Sequence, residues 1–209
     1  MNIRNSALSI SILLGMVLTP ALAEPNNAMH VPAKAFSIGD FKVGDTTLSE
    51  AQSQLGSAHA YEHDEGLVRT LCYFYPAKQE VVVLELNASV LGGLQRLTGF
   101  TVRLAPKPPE KCSSSRVNLR TINIGMRVKL GESENDFRTH LPIQFVHKNT
   151  RLTYEIEYKR EMTEEELASM RQQWPDIGKP SFFDVVESVQ AKFRKGMLEY
   201  YTVQRTESY

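Results

Sequence analysis

Cysteine is scarce in this chain, two in 209 residues, tryptophan occurs once, and charge of either sign is absent in the balance, with 24 Lys+Arg against 24 Asp+Glu. Each shortage excludes something. Two cysteines without spaced companions do not make a zinc site. Zero net charge excludes a strongly basic nucleic-acid binder and a polyanionic protein, both of which depend on a large field of one sign. No apolar run reaches the ~20 residues of a membrane span, and a mean hydropathy of −0.30 is too low for a polytopic membrane protein. There is no Gly-x-Ser-x-Gly elbow and no glycine-rich phosphate loop after a strand. What remains is a chain with 42% hydrophobic residues. That suffices for a folded core, since domains of ~150–200 residues bury roughly 70% of their unfolded surface, and it argues against global disorder.

The N-terminus has the pattern of a cleavable secretory signal over 1–23. Arg4 is the positive start, 7–18 is apolar except for Ser9 and Ser11, and Ala21-Leu22-Ala23 precedes Glu24-Pro25 as a small-x-small cleavage site. A short membrane anchor is the alternative, but an apolar run of about 12 residues falls well short of a span. No cysteine stands near the cleavage site, so lipid attachment there is not expected. Cleavage leaves 186 residues with 23 basic and 24 acidic side chains. Export implies an oxidising compartment, the bacterial periplasm or the medium. In that setting Cys72 and Cys112 are expected to pair. The loop-entropy model gives such a bridge ~4 kcal/mol. A free-thiol nucleophile is the other reading, and neither cysteine stands in a recognisable catalytic signature.

The two halves of the remaining chain repeat one another loosely. Thr47-Leu48-Ser49-Glu50 is a capping box, Ala51 and Leu55 supply an apolar stripe, and Gly56 stops the helix. Ser133-Glu134-Asn135-Asp136 resembles it, followed by Phe137, Leu141 and the stop Pro142. Gly44 and Gly131 precede the two boxes. Each helix is followed by a period-two strand: Leu71, Tyr73 and Tyr75 alternate with Cys72 and Phe74, while Leu152, Tyr154, Ile156 and Tyr158 alternate with Thr153, Glu155 and Glu157. A hairpin follows in each half, 81–86 through Gly92-Gly93 to 97–104, and 185–193 through Lys195-Gly196 to 197–203. A helix across Phe182, Val186, Val189 and Phe193 competes with the second of these. The caps are 86 residues apart and the hairpin turns 103, so the second half carries an insertion. Thr163 to Glu166 opens it as another capping box, leading through Leu167, Met170 and Trp174 to Pro175.

These features predict an α+β fold of two tandem repeats, each a short helical layer on an antiparallel β-sheet. The divisions are a signal at 1–23, a flexible N-terminal segment at 24–36, a first unit at 37–105, a linker at 106–116 and a second unit at 117–209 with its insertion at 162–180. A glycine, a capped two-turn helix ending in Leu-Gly or Leu-Pro, an aromatic-rich strand and a glycine-turned hairpin, occurring twice, resemble the β-lactamase inhibitory proteins. The same unit occurs singly in the small lipoprotein of the outer-membrane barrel-assembly machinery. The resemblance covers roughly 38–104 and 122–205. It implies an exported protein that acts by binding another protein, an inhibitor or immunity protein directed at a cell-wall enzyme or toxin, or an envelope-assembly component. Two departures stand out: there is no lipid-attachment cysteine, and the second half lacks the disulfide that the inhibitory proteins carry in each repeat.

Candidate chemistry is sparse. Glu155 and Glu157 lie on one strand face about 7 Å apart by strand rise, a loose match to glycosidase spacing, but a solvated sheet face explains them far better; a hydrolase with an unrecognised site is the remaining alternative. His59, His63, Asp64 and Glu65 have the residue types of a zinc site, but the run between Gly56 and Gly66 reads as a loop, where four-apart spacing fixes no geometry. No metal and no cofactor is expected. The candidate partner-binding residues are Phe74, Glu155, Glu157, Trp174 and Tyr200, because aromatics beside polar groups anchor protein interfaces. The expected partner is a protein of the periplasm or the medium; nucleic acid is not expected, nor a membrane span in the mature chain.

Overall fold

The computed structural model describes residues 31–89, 95–173, 175–176 and 181–208. The signal 1–23, His30, the Gly92-Gly93 turn and Trp174 lie outside the described residues. The first elements among the described residues are a 3-10 turn, Ala33–Phe36, and a small hairpin, β1 (Ser37–Ile38) and β2 (Phe41–Lys42). Then come α1 (Leu48–Leu55), β3 (Tyr61–His63), β4 (Val68–Pro76), β5 (Val81–Ser89), β6 (Leu97–Ala105) and β7 (Ser113–Ser114). A second series follows: α2 (Glu134–His140), β8 (Val146–Lys148), β9 (Arg151–Glu161), α3 (Glu164–Gln173), β10 (Phe182–Arg194) and β11 (Met197–Ser208). The fold is mixed α/β, dominated by antiparallel sheet with few helices.

The large sheet runs β3-β4-β5-β6-β11-β10-β9-β8, antiparallel throughout, with β7 added parallel to β4. It is one continuous sheet because β6 and β11, the last strands of the two halves, pair with each other from Gly99 opposite Gln204 to Arg103 opposite Tyr200. The helix starts follow from local chemistry. The Thr47 hydroxyl accepts the Glu50 amide while the Glu50 carboxylate accepts the Thr47 amide, so two otherwise unpaired N–H groups are satisfied reciprocally. Ser133 caps α2 through the Asp136 amide, and Thr163 and Glu166 form the reciprocal pair at α3.

One face of the sheet, here the inner face, carries the main core. Leu71, Tyr73, Leu84, Leu86, Phe100 and Val102 from the first half meet Leu152, Val189, Ala191, Leu198, Tyr201 and Val203 from the second. Leu48, Ala51 and Leu55 of α1 and Phe137 of α2 pack onto them, and the Phe137 ring contacts Phe145, Phe193 and Tyr201. The two halves attach their helices alike. The N–H of Gly44 donates to the Leu97 carbonyl and Leu97 donates to Thr46; Gly131 donates to Leu198 and Leu198 to Glu132, at 2.7–2.8 Å. Each cap also makes an isolated bridge, Thr47 with Arg96 and Ser133 with Met197.

Several expectations need correction. The end of the expected flexible segment 24–36 is ordered, with Val31, Ala35 and Phe36 buried in the core. The cause is long-range: a Cβ at Gly125 would fall 1.9 Å from the Lys34 carbonyl oxygen, so only glycine lets the two segments lie this close. The competing helix across 182–193 is not formed, and this stretch is the 13-residue strand β10. The run after Gly56 is no featureless loop either. Tyr61, Glu62 and His63 pair with Thr70, Arg69 and Val68, and Asp64 and Glu65 turn the chain at positive φ.

Candidate functional site

The outer face of the sheet is built by side-chain alternation, since residues opposite one another in register share a face. Four of its cross-strand rows lie between Lys148 and the Lys159–Asp184 pair. One runs Lys148, Arg151, Lys192, Tyr200 and Arg103; the next Val146, Thr153, Gln190, Thr202, Thr101, Glu85 and Cys72. The third is Glu155, Ser188, Gln204 and Gly99, and the fourth Glu157, Val186 and Thr206. Cations and a tyrosine thus occupy one side of this face, hydroxyls and an amide the middle, and carboxylates the other side.

The two ends of the outer face differ in cover. In the first half, 106–115 crosses it. Cys72 and Cys112 lie at disulfide distance, with Cα atoms 4.5 Å apart. The Ser115 amide donates to the Phe74 carbonyl at 2.9 Å, and β7 runs beside Tyr73 and Phe74. Beneath the crossing segment Cys72, Val81, Val83 and Ala105 form a second apolar cluster with Tyr61, Phe74 and Cys112 against it. Lys111 Nζ sits 4.9 Å from the centre of the Tyr61 ring. Burial, with the nearby Glu85 charge, raises the Tyr61 phenol above its ordinary value. In the second half the outer face is exposed at Val146, Arg151, Glu155, Glu157, Lys159, Asp184, Val186, Gln204 and Thr206.

The sequence-selected residues divide accordingly. Phe74 does lie on the outer face but is packed under the crossing segment, so it is a core contact and not a free anchor. Glu155, Glu157 and Tyr200 belong to the open half. Tyr200 is half-buried, with the Arg151 guanidinium carbon 5.3 Å from its ring centre, a cation–π arrangement. Arg151 Nη1 also donates to the Gln190 carboxamide at 3.1 Å. Arg103 pairs with Glu85 at 3.1 Å and Lys192 with Glu199 at 3.0 Å. A shallow polar hollow of about 420 Å³ lies at the β8–β9 end, lined by Lys148, Arg151, Thr153, Glu155 and Gln190 among others. Sequence reasoning missed Arg103, Arg151, Gln190 and Lys192. The parity of 185–193 and 197–203 about the Lys195-Gly196 turn could have placed Lys192 and Tyr200 on one face.

The histidine cluster is not assembled for metal binding. His63 Nδ1 lies 3.0 Å from Asp64 and its Nε2 2.9 Å from the Thr70 hydroxyl, while His59 is exposed. No grouping of three or more metal-binding side chains occurs among the described residues.

The inner face holds a separate ionic network near its far end. The Tyr158 hydroxyl donates to Glu187 at 2.9 Å, and Glu187 is buried. Arg205 and Arg160 share Glu207, and Arg160 reaches Glu166 through both terminal nitrogens at 2.9 Å. That fork lowers the Glu166 carboxyl to about 2. A cavity of about 690 Å³ beside this network is lined by Val31, Phe36, Val43, Lys34, Lys42, Tyr158, Glu187 and Arg205, among others.

Glu155 and Glu157 are both exposed on the open outer face. No helix among the described residues is long and apolar enough to cross a membrane. Comparison with protein-family models, curated proteins and solved structures finds no match to this chain.

Proposed function

We propose that this is an exported protein-binding module that engages a partner protein through the open half of its outer sheet face. One observation carries the reading: the crossing segment 106–115 covers the apolar outer face of the first half, while charged and amide side chains of β9, β10 and β11 stay exposed around the half-buried Tyr200. A surface that mixes a tyrosine, arginines and carboxylates on a rigid sheet has the composition of a protein interface. The cysteine pair at disulfide distance is compatible with a location outside the cytoplasm.

The finer reading is of two tandem helix-plus-sheet units that meet at β6 and β11, with α3 inserted in the second. The matched glycine and cap contacts around Leu97 and Leu198 support it. With it goes the resemblance to the β-lactamase inhibitory proteins, and so an inhibitor or immunity role against a cell-wall-directed enzyme or toxin. That role rests on resemblance, and fold likeness alone does not transfer function.

The test is site-specific photo-crosslinking in the producing cell. A photoreactive residue is placed at Glu157 or Gln204 on the open face, or at Ser53 on α1 as the control. The reading expects one partner captured at the first two positions and not at Ser53. Equal capture at all three, or none at Glu157 and Gln204, overturns it.

A further inference from the structure

The edge of the sheet carries more information than its face. β9 is 11 residues long, but β8 covers only its first three, pairing Lys148 with Arg151, His147 with Leu152 and Val146 with Thr153. Beyond Val146 no strand lies against the outer side of β9 among the described residues.

Hydrogen-bonding parity shows which groups are left over. Lys148 and Arg151 close the two-residue turn Asn149-Thr150, in which Asn149 takes φ of 58°. A turn of that length closes on a hydrogen-bonded pair. Arg151 therefore directs its N–H and C=O toward β8, and so does every second residue after it. The residues between them face β10, and the Met162 amide donating to the Ser181 carbonyl at 2.9 Å has this parity. Glu155, Glu157 and Lys159 consequently turn their backbone N–H and C=O groups outward, beyond the reach of β8. The unpaired stretch ends at Glu161, whose carbonyl accepts from Arg160 Nη1 at 3.3 Å.

We propose that this edge accepts an extended segment of a partner protein as an added strand, and that the segment reads cation, apolar, cation at three consecutive positions. The proposal rests on the protein-binding reading above and specifies its partner. The backbone groups of Glu155, Glu157 and Lys159 supply the ladder. On the outer face the Glu155 and Glu157 carboxylates, both exposed, lie directly opposite the two cations. Lys159 is already turned to Asp184 at 3.6 Å. Between the two glutamates the half-buried Ile156 points to the inner face and meets the apolar residue. A second copy of the chain does not fit. In any antiparallel self-pairing that places these three residues opposite one another or Glu161, at least one carboxylate faces a carboxylate, and like charges directly opposite are destabilising.

The test uses the full exported chain and the peptide acetyl-Thr-Val-Lys-Val-Lys-Val-Thr-amide. Amide hydrogen exchange read residue by residue should slow at Glu155, Glu157 and Lys159 when the peptide binds. N-methylation of alternate peptide amides should weaken binding at least about tenfold, because it removes ladder donors while keeping charge. The same peptide with glutamate for lysine should bind only the variant carrying both Glu155→Lys and Glu157→Lys. Equal binding of the N-methylated peptide, or unchanged exchange at the three amides, overturns the proposal. The two readings fail separately: crosslinking at Gln204 without edge protection removes the strand addition alone, whereas edge protection without any crosslink removes the face-binding reading alone.

Discussion

The hydroxyls of Thr101 and Thr202 lie 2.9 Å apart in the middle of the sheet, joining the last strands of the two halves. Thr202 also donates to the Phe100 carbonyl at 2.9 Å. Both residues are buried, so this small polar contact sits where β6 meets β11. Thr202→Val removes the one hydroxyl that bonds both the Thr101 hydroxyl and the Phe100 carbonyl and should lower stability by about 1–2 kcal/mol. Thr101→Val leaves Thr202 bonded and should cost about half as much or less. Urea midpoints of the two variants check the order.

The cysteine bridge should matter locally as well as globally. Replacing Cys72 and Cys112 by serine removes up to ~4 kcal/mol on the loop model. The loss should be accompanied by faster amide exchange at Ser115, whose N–H bonds Phe74 across the crossing segment. Unchanged exchange there, with a lowered melting temperature, would show that the segment is held without the bridge.

Gly125→Ala should be among the most damaging single substitutions. The added Cβ would stand 1.9 Å from the Lys34 carbonyl oxygen, a backbone atom that no rotamer change can move. A loss of about 3 kcal/mol or more is expected, against about 1 kcal/mol for the cap substitution Thr47→Ala. Thermal melts of both variants test the ranking.

The Glu166 carboxyl is lowered from 4.5 to about 2, chiefly by the Arg160 fork. A carboxyl lowered on folding stabilises the protein above its unfolded value, and the contribution is lost as pH falls from about 4.5 to about 2. Glu166→Gln should therefore reduce stability at neutral pH and flatten the stability profile over that window. Parallel denaturation curves at pH 7, 4 and 2.5 give the sign directly.

Local rules made much of this legible in advance. The capping boxes at Thr47 and Thr163 announce α1 and α3, the alternation around Tyr73 and Tyr154 announces β4 and β9, and an even cysteine count behind a signal-like N-terminus points to the Cys72–Cys112 pair. Non-local facts were not legible. The pairing of β6 with β11 joins residues 101 apart in sequence. The burial of Ala35 depends on a missing side chain at Gly125. Phe74 has the alternation of an outward residue, and only the tertiary course of 106–115 shows that it is covered. Short strands such as β3, β7 and β8 offer too few residues for a periodicity to register. Alternation puts Tyr200 and Tyr201 on opposite faces without saying which is outward, and the cation row beside Tyr200 emerges only from cross-strand register.

The central claim is that the open half of the outer face binds a protein, and its most direct measurement is the affinity of the crosslinked partner for single-site variants. Tyr200→Ala removes the ring that the Arg151 guanidinium approaches within the cation row, and anchors of this kind carry about 2 kcal/mol or more. The account predicts a Kd raised by about thirtyfold for Tyr200→Ala, with Ser53→Ala on α1 within about twofold of the parent. Equal affinities for the parent and the Tyr200→Ala protein, or a larger loss at Ser53, would contradict it.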